Sequence, residues 1–294
     1  QVDIALAVGA EKMTSPDKTL AFKGLASAVD LERVDELEES LYGGRPENAA
    51  GVDRSLFMDI YADMARRYTE RSGATPEDFA RVAVKAHRHG ALNPHAQYRN
   101  LISVDEVLDS RTVSDPLTLL MCSPIGDGAA AVLLCSDTVA RDLEETVRLR
   151  ASVLVSGIRG PEIEEPASTR AARRAYEIAG IGPGDLDVVE LHDAAAPAEL
   201  IISEELGLCS AGEAPKMLSD GETTLGGRLP INTSGGLLSK GHPVGATGCA
   251  QVVELTDQLR GRAGDRQVEG ARIGLAENGG YLDRNVVNRL QILE

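Results

Sequence analysis

Apolar positions recur along the chain in two periods, and each predicts one kind of element. "VDIALAVGAEKM" (2–13) reads as a buried strand followed by a turn. Further strand-type runs are "GAAAVLLCS" (128–136), "RASVLVSGI" (150–158), "DLDVVEL" (185–191), "ARIGLAENGG" (271–280) and "NVVNRLQILE" (285–294). Helical spacing governs the stretches between. In "SLFMDIYADMARRYTERSG" (55–73), Leu56, Ile60, Met64 and Tyr68 share a face and Gly73 is the stop. "DLERVDELEESL" (30–41) is spaced like a charged helix, and "TPEDFARVAVKAHRHGA" (75–91) starts on Thr75 as N-cap with Pro76 behind it. Ser168 is the expected cap of a helix that Gly180 ends, and Pro197 opens another that finishes at Gly207. "GATGCAQVVELTDQLRG" (245–261) puts Gly248, Val252, Leu255 and Leu259 on one face.

The order of these elements suggests a duplicated α/β chain. "IALAVGAE" and "IGLAENGG" match in pattern, and each is followed later by one more apolar strand, "AAAVLLCS" and "VVNRLQIL". The expected division is a first half over 1–13 and 116–140, an inserted helical region over 14–115, and a second half over 141–294. The second half has strands and helices that the first lacks, so the first half is expected to be incomplete, with a segment upstream of Gln1.

Composition narrows the class. With 3% aromatic residues and no Trp, small aliphatic side chains must build the core, which suits helices packed on a sheet. The net charge of −16 argues against a nucleic-acid or anionic-membrane surface. No apolar run approaches the roughly 18 residues of a membrane span. Cys122, Cys135, Cys209 and Cys249 lie far apart, without CxxC spacing, so a reducing cytoplasm is the default expectation.

Three stretches carry candidate chemistry. In "SKGHPVGATG", beginning at Ser239, Gly241 lets backbone approach a ligand, Pro243 fixes a turn, and Gly245 and Gly248 bring ligand and helix close. His242 is thereby aimed at a helix start, where an imidazole can donate to an oxyanion or move a proton. A glycine-rich helix start with an incidental histidine is the other reading. "VVELHDAAAPAELI" puts His192 and Asp193 at the carboxyl end of a buried strand, where open α/β sheets bind ligands; Asp193 is also a natural helix cap. "LAENGGYL" offers Glu277, Asn278, Gly279, Gly280 and Tyr281 after a strand, either as proton-handling groups or as a plain turn. His87, His89 and His95 lack zinc-site spacing, so no metal is expected and they read as loop or substrate-lining groups. Arg66, Arg67 and Arg99 read as solvated charge that could meet an anion.

Together these stretches, with "KAHRHGALNPHAQYR", "SPIGDGAAAVLL" and "EELGLC", resemble the thiolase superfamily in motif and order, and most closely its lipid-transfer, sterol-carrier-protein type. The resemblance covers nearly the whole chain. It implies a layered αβαβα fold of two similar halves with an inserted helical loop region, a dimer, and an acyl-CoA substrate. Coenzyme A then enters only as part of that substrate, with no permanent cofactor. His242 resembles the family's GHP histidine, which binds the thioester oxygen, and His192 the position of an Asn or His that completes an oxyanion site. Ser239, Gly241, Gly245 and Asp193 fall where CoA or substrate would lie, and Glu277, Asn278, Gly279 and Gly280 where substrate is positioned.

Two departures bear on the reaction. No residue matches the nucleophilic cysteine, which the family carries upstream of "DIALAVGAEKM". The Cys-x-Gly-Gly loop is replaced by "AENGGY". Claisen chemistry needs both groups, whereas retro-aldol cleavage of a β-hydroxyacyl-CoA needs only a base and an oxyanion site, with Tyr281 to supply or relay the proton. The chain therefore looks closest to thiolase-like aldolases that shorten steroid side chains beside a small OB-fold, zinc-ribbon partner. A conventional acyltransferase with its cysteine in the upstream segment, and a non-catalytic scaffold subunit, remain open.

Overall fold

The computed structural model describes residues 2–17, 19–26, 56–156, 165–280 and 287–294, with Glu32, Asp35, Glu36, Glu39 and Leu41 between. The first half gives β1 (Ile4–Glu11), α1 (Thr19–Ala26), α2 (Leu56–Ser72), α3 (Pro76–Ala91), α4 (Val104–Asp109), β2 (Thr112–Ser114), β3 (Leu117–Thr118) and β4 (Gly128–Cys135). After α5 (Asp137–Ala140) come β5 (Leu149–Ser156), α6 (Ala167–Ala179), β6 (Val188–Glu190), α7 (Ala196–Glu205), α8 (Ala214–Ser219) and α9 (Gly236–Ser239). The chain closes with α10 (Val244–Leu259), β7 (Gly274–Gly280) and β8 (Val287–Leu293).

Two sheets flank one helix. β1 and β4 pair antiparallel from Ile4↔Cys135 to Glu11↔Gly128. The second sheet runs β5-β8-β7-β6, with β6 and β7 parallel and the other pairs antiparallel. α10 packs on β1 and β4 from one side and on β7 and β6 from the other, while α6 covers β5 and β8. The paired strands β1/β4 and β7/β8 thus stand in corresponding places, as the internal sequence repeat suggested. Helix α10 approaches β1 so closely that a Cβ at Gly9 would lie 2.2 Å from the Gly245 oxygen, and one at Gly245 would lie 2.7 Å from the Ala10 oxygen. Glycine at both positions is therefore a packing requirement. On the opposite face of the β1/β4 sheet, Ile4, Leu6, Val8, Ala129, Ala131 and Leu133 are all exposed.

Several local expectations need correction. Ser168 lies inside α6, which begins after Pro166 without a side-chain cap, and its hydroxyl instead donates to Glu205. Gly180, in the left-handed region at φ 70°, does end that helix. Helix α2 buries Leu56 and Tyr68 as expected, but between them it turns Tyr61, Ala62 and Ala65 inward while Ile60 and Met64 are only half-buried. Apolar Leu255 is buried on α10, but so are Gln251, Glu254 and Gln258, because tertiary partners satisfy them. The helix expected over 30–41 falls largely outside the described residues. No helix among the described residues is long and apolar enough to cross a membrane.

Helix α3 forms as its sequence dictates, with a reciprocal Thr75–Asp78 capping box and Pro76 in the first turn. It runs through the main core against α7 and α9. Two of its polar residues cross-link that core. Lys85 pairs with Glu199 of α7 and donates to the Ile231 oxygen at 3.2 Å. His89 meets the Asn232 oxygen with Nδ1 (3.0 Å) and the Leu225 amide with Nε2 (3.2 Å), so Nδ1 must donate and Nε2 accept. Burial holds the ring neutral, with its pKa lowered to about 4. His89→Ala removes both bonds and leaves a cavity, so we expect a loss of about 2–4 kcal/mol in urea unfolding at unchanged m. A loss under about 1 kcal/mol would show that the cross-link contributes little.

Candidate functional site

The site is built where β6 ends. Asn232 adopts φ 57° and is fully buried, a conformation that Asn tolerates better than most residues. Its amide donates to the Val189 oxygen at 2.8 Å, and its Oδ1 accepts the Leu191 amide at 2.8 Å. Glu190 holds the same loop from the other side, accepting the Ser234 amide at 3.0 Å and the Ser234 and Thr233 hydroxyls. The strand's last residues are thereby fixed, and His192 follows directly.

His192 is 6% exposed, and its amide donates to Glu277 Oε2 at 2.9 Å across the parallel β6–β7 step. Its ring meets the ring of His242 edge to face, with centroids 4.9 Å apart at 82°. His242 comes from the start of α10, and its Nδ1 lies 2.8 Å from Thr247 Oγ1, whose single proton can go either to Nδ1, leaving the ring hydrogen on Nε2, or to the Pro243 oxygen at 3.1 Å. Burial lowers the His192 pKa to about 4; burial, His192 and Lys240 hold His242 well below the usual imidazole value. Both rings are neutral near pH 7, so each can donate from one nitrogen and accept at the other.

Glu277 completes the floor. Its Oε1 accepts the Asn288 amide at 2.6 Å, its backbone oxygen accepts Gln251 Nε2 at 2.8 Å, and burial pushes its pKa up to about 7. Asn278 reaches Gln251 Oε1 at 3.3 Å, and Gly279 leaves room for Glu277 and Asn288, with 2.8 Å between its would-be Cβ and Glu277 Oε1. Strand β7 runs through Gly280, so a plain turn, one of the two readings of "LAENGGYL", does not occupy Glu277 to Gly280. Tyr281 lies outside the described residues.

Other expected site residues do different work. Asp193 does not cap α7, whose N-cap is Ala195; its Oδ1 accepts the Leu237 amide at 2.7 Å at the start of α9. Its Oδ2 is buried without a partner, and burial with Glu199 nearby raises its pKa well above the carboxylate range. Ser239 is buried and donates to the Tyr98 oxygen at 2.8 Å. Gln97 and Tyr98 amides bond the Lys240 and Ser239 oxygens, which holds Gly241 at φ 110° beside Gln97. Gly245 faces β1 and donates to Glu11 at 3.1 Å. His87 bonds the Asn100 oxygen at 2.9 Å and stacks on Tyr98, while His95 is exposed. Arg66 bonds the Asp115 oxygen, Arg67 pairs with Asp63, and Arg99 is exposed.

Sequence reasoning missed Tyr61, whose Oη lies 3.4 Å from His192 Nδ1, and Thr247 beside His242. Nothing in the helical spacing of α2 distinguishes Tyr61 from a packing residue. The buried stripe Gln251, Glu254, Gln258 on α10 did carry a signal, since polar residues at three- and four-residue steps share a face.

Comparison with known proteins places this geometry. Residues 1–138 match the family model for the thiolase N-terminal domain, and 158–291 that for the thiolase C-terminal domain-like family. An acetyl-CoA acetyltransferase of Methanothermobacter thermautotrophicus is 42% identical over 283 residues, covering 94% of this chain and 69% of that protein. Sterol carrier protein 2 of Bos taurus is 39% identical over 94% of this chain, which spans only 51% of its length. Among solved structures, the Ltp2-ChsH2(DUF35) aldolase superposes with a TM-score of 0.78 at 27% identity, over 98% of this chain and 72% of that one. A monomeric SCP2-thiolase like protein from Mycobacterium smegmatis shares the fold, with a TM-score of 0.67 at 19% identity, over 99% of this chain and 56% of that one. A thiolase-like α/β fold, both family halves and the sterol-carrier relatives agree: the chain belongs to the thiolase superfamily, in its lipid-transfer type.

Proposed function

We propose that this chain cleaves a carbon–carbon bond in a β-hydroxyacyl-CoA by a retro-aldol reaction, with a steroid or lipid side chain as the acyl group. The base removes the β-hydroxyl proton, the Cα–Cβ bond breaks, and its electron pair moves to Cα as a thioester enolate. Protonation at Cα then releases a shortened acyl-CoA, while Cβ leaves as a carbonyl compound. His192 and His242 hold the thioester oxygen, where negative charge develops. Glu277 stores the proton and Tyr281, further along the chain, relays it. Asn278, Gly279 and Gly280 position the acyl group, and Ser239, Gly241, Gly245 and Asp193 shape the CoA side through backbone placement.

The observation that carries this reading is the occupant of the former cysteine loop. Glu277, with a pKa near 7, is matched to exchange a proton at neutral pH but cannot serve a thiol's role. Cys122 is a poor substitute nucleophile, since burial pushes its thiol up to about 12. The aldolase likeness adds support and suggests a DUF35-type OB-fold, zinc-ribbon partner beside a homodimer of this chain. The 42% identity to an acetyl-CoA acetyltransferase favours a second reading, thiolytic acyl transfer by a cysteine outside this chain's residues.

His242→Ala and His192→Ala should each lower release of shortened acyl-CoA, followed by chromatography, about 10²–10³-fold with the circular-dichroism spectrum unchanged. Absence of product from the unaltered protein, together with a covalent acyl adduct in its mass spectrum, would replace this reading by acyl transfer. A second outcome concerns Glu277. A carboxyl whose pKa rises from 4.5 to about 7 on folding binds its proton more tightly in the native state. Its stabilising contribution is whole below about 4.5 and fades as pH rises through about 7. Relative to Glu277→Gln, the unaltered protein should therefore lose about 3 kcal/mol between pH 4.5 and 8 in urea titrations, over a constant offset from the amide facing a donor. A flat difference would mean that Glu277 stays ionised.

A further inference from the structure

We propose that Tyr61, on helix α2 of the inserted region, is a positioning residue that fixes His192 as the tautomer with hydrogen on Nε2. Tyr61 is 3% exposed and its Oη is 3.4 Å from His192 Nδ1. The His192 amide is fixed to Glu277, and its ring is packed against His242, so the tautomer is set by what stands at Nδ1.

Acid strength decides which partner donates. A phenol with a reference pKa near 10 is a far stronger acid than a neutral imidazole N–H, and the imidazole lone pair is a far stronger base than a phenol oxygen. The phenol therefore donates and Nδ1 accepts. Burial and the carboxyls of Glu277 and Asp193 raise the phenol pKa, so the donor keeps its proton through the neutral range. His192 then carries its hydrogen on Nε2, which is the form that can donate to an enolate oxygen from that nitrogen. The loss of this bond leaves both tautomers accessible, and only one of them stabilises the oxyanion.

This inference rests on the reading of His192 as a ligand of the thioester oxygen, and its test has a readout independent of turnover. Nitrogen-15 spectra of histidine-labelled protein, assigned with His192→Asn, should show His192 protonated on Nε2 alone. Tyr61→Phe keeps the ring and removes one oxygen; it should mix the two His192 tautomers and lower kcat about fivefold to tenfold, with KM unchanged. Protonation of His192 on Nδ1 in the unaltered protein would overturn the proposal even if the variant failed to fold. An unmixed Nε2 tautomer in Tyr61→Phe would overturn it equally. Tautomer mixing in the variant, with no retro-aldol product from the unaltered protein, would retain Tyr61 as the positioning group and refute the reaction instead.

Discussion

The buried amide side chain of Asn232 is the constraint on which the site depends. Through one residue in a left-handed conformation, three elements are tied together: its N–H holds Val189 and its Oδ1 Leu191 at the end of β6, its Nδ2 reaches Glu199 on α7 at 3.3 Å, and its carbonyl holds His89 on α3. Each of these groups is buried, and each would cost about 1–3 kcal/mol if left without a partner. The network is cooperative in that sense: His192 is placed by the same bonds that hold the core helices to the sheet. A loop free to move by an ångström would lose the edge-to-face contact with His242 that makes two imidazoles converge.

Around that point the chain uses carboxyl groups as fasteners. Glu190 takes the Ser234 amide, Asp193 the Leu237 amide and Glu277 the His192 amide. Oxygen acceptors on backbone N–H groups fix loops that no strand ladder reaches. Burial drives the pKa values of Glu190 and Glu199 upward, and Lys240 and Lys85 offset part of that through pairs with them. The same burial strips the charge from both histidines. Neutral rings at neutral pH suit an oxyanion site, because they donate without binding an anion in the resting state.

Much of this was legible in the sequence. Strands near their observed bounds, the Thr75 cap and the Gly180 stop follow from periodicity and punctuation, and the meeting of His192 with His242 from the family resemblance. The inward face of α2, the structural use of Asp193 and the buried glutamines of α10 do not, because they depend on which partner arrives from elsewhere in the chain. The glycines of "GHPVGATG" show the limit well. Their spacing reads as room for a ligand, yet Gly245 makes room for strand β1, and only Gly241, at φ 110°, adjoins the histidine.

That close contact of α10 with β1 has a chemical consequence. His242 sits at the start of a helix wedged between two sheets, so its position is set by β1 through Gly9 and Ala10, and by Thr247 one turn into the helix. His192 is set from the other sheet by Glu277 and from the inserted helix by Tyr61. The two rings thus belong to different layers and meet only because α10 holds the layers at a fixed spacing. A substitution that thickens the Gly9–Gly245 contact would part the imidazoles without touching either, and the proposed oxygen site between them would be lost first.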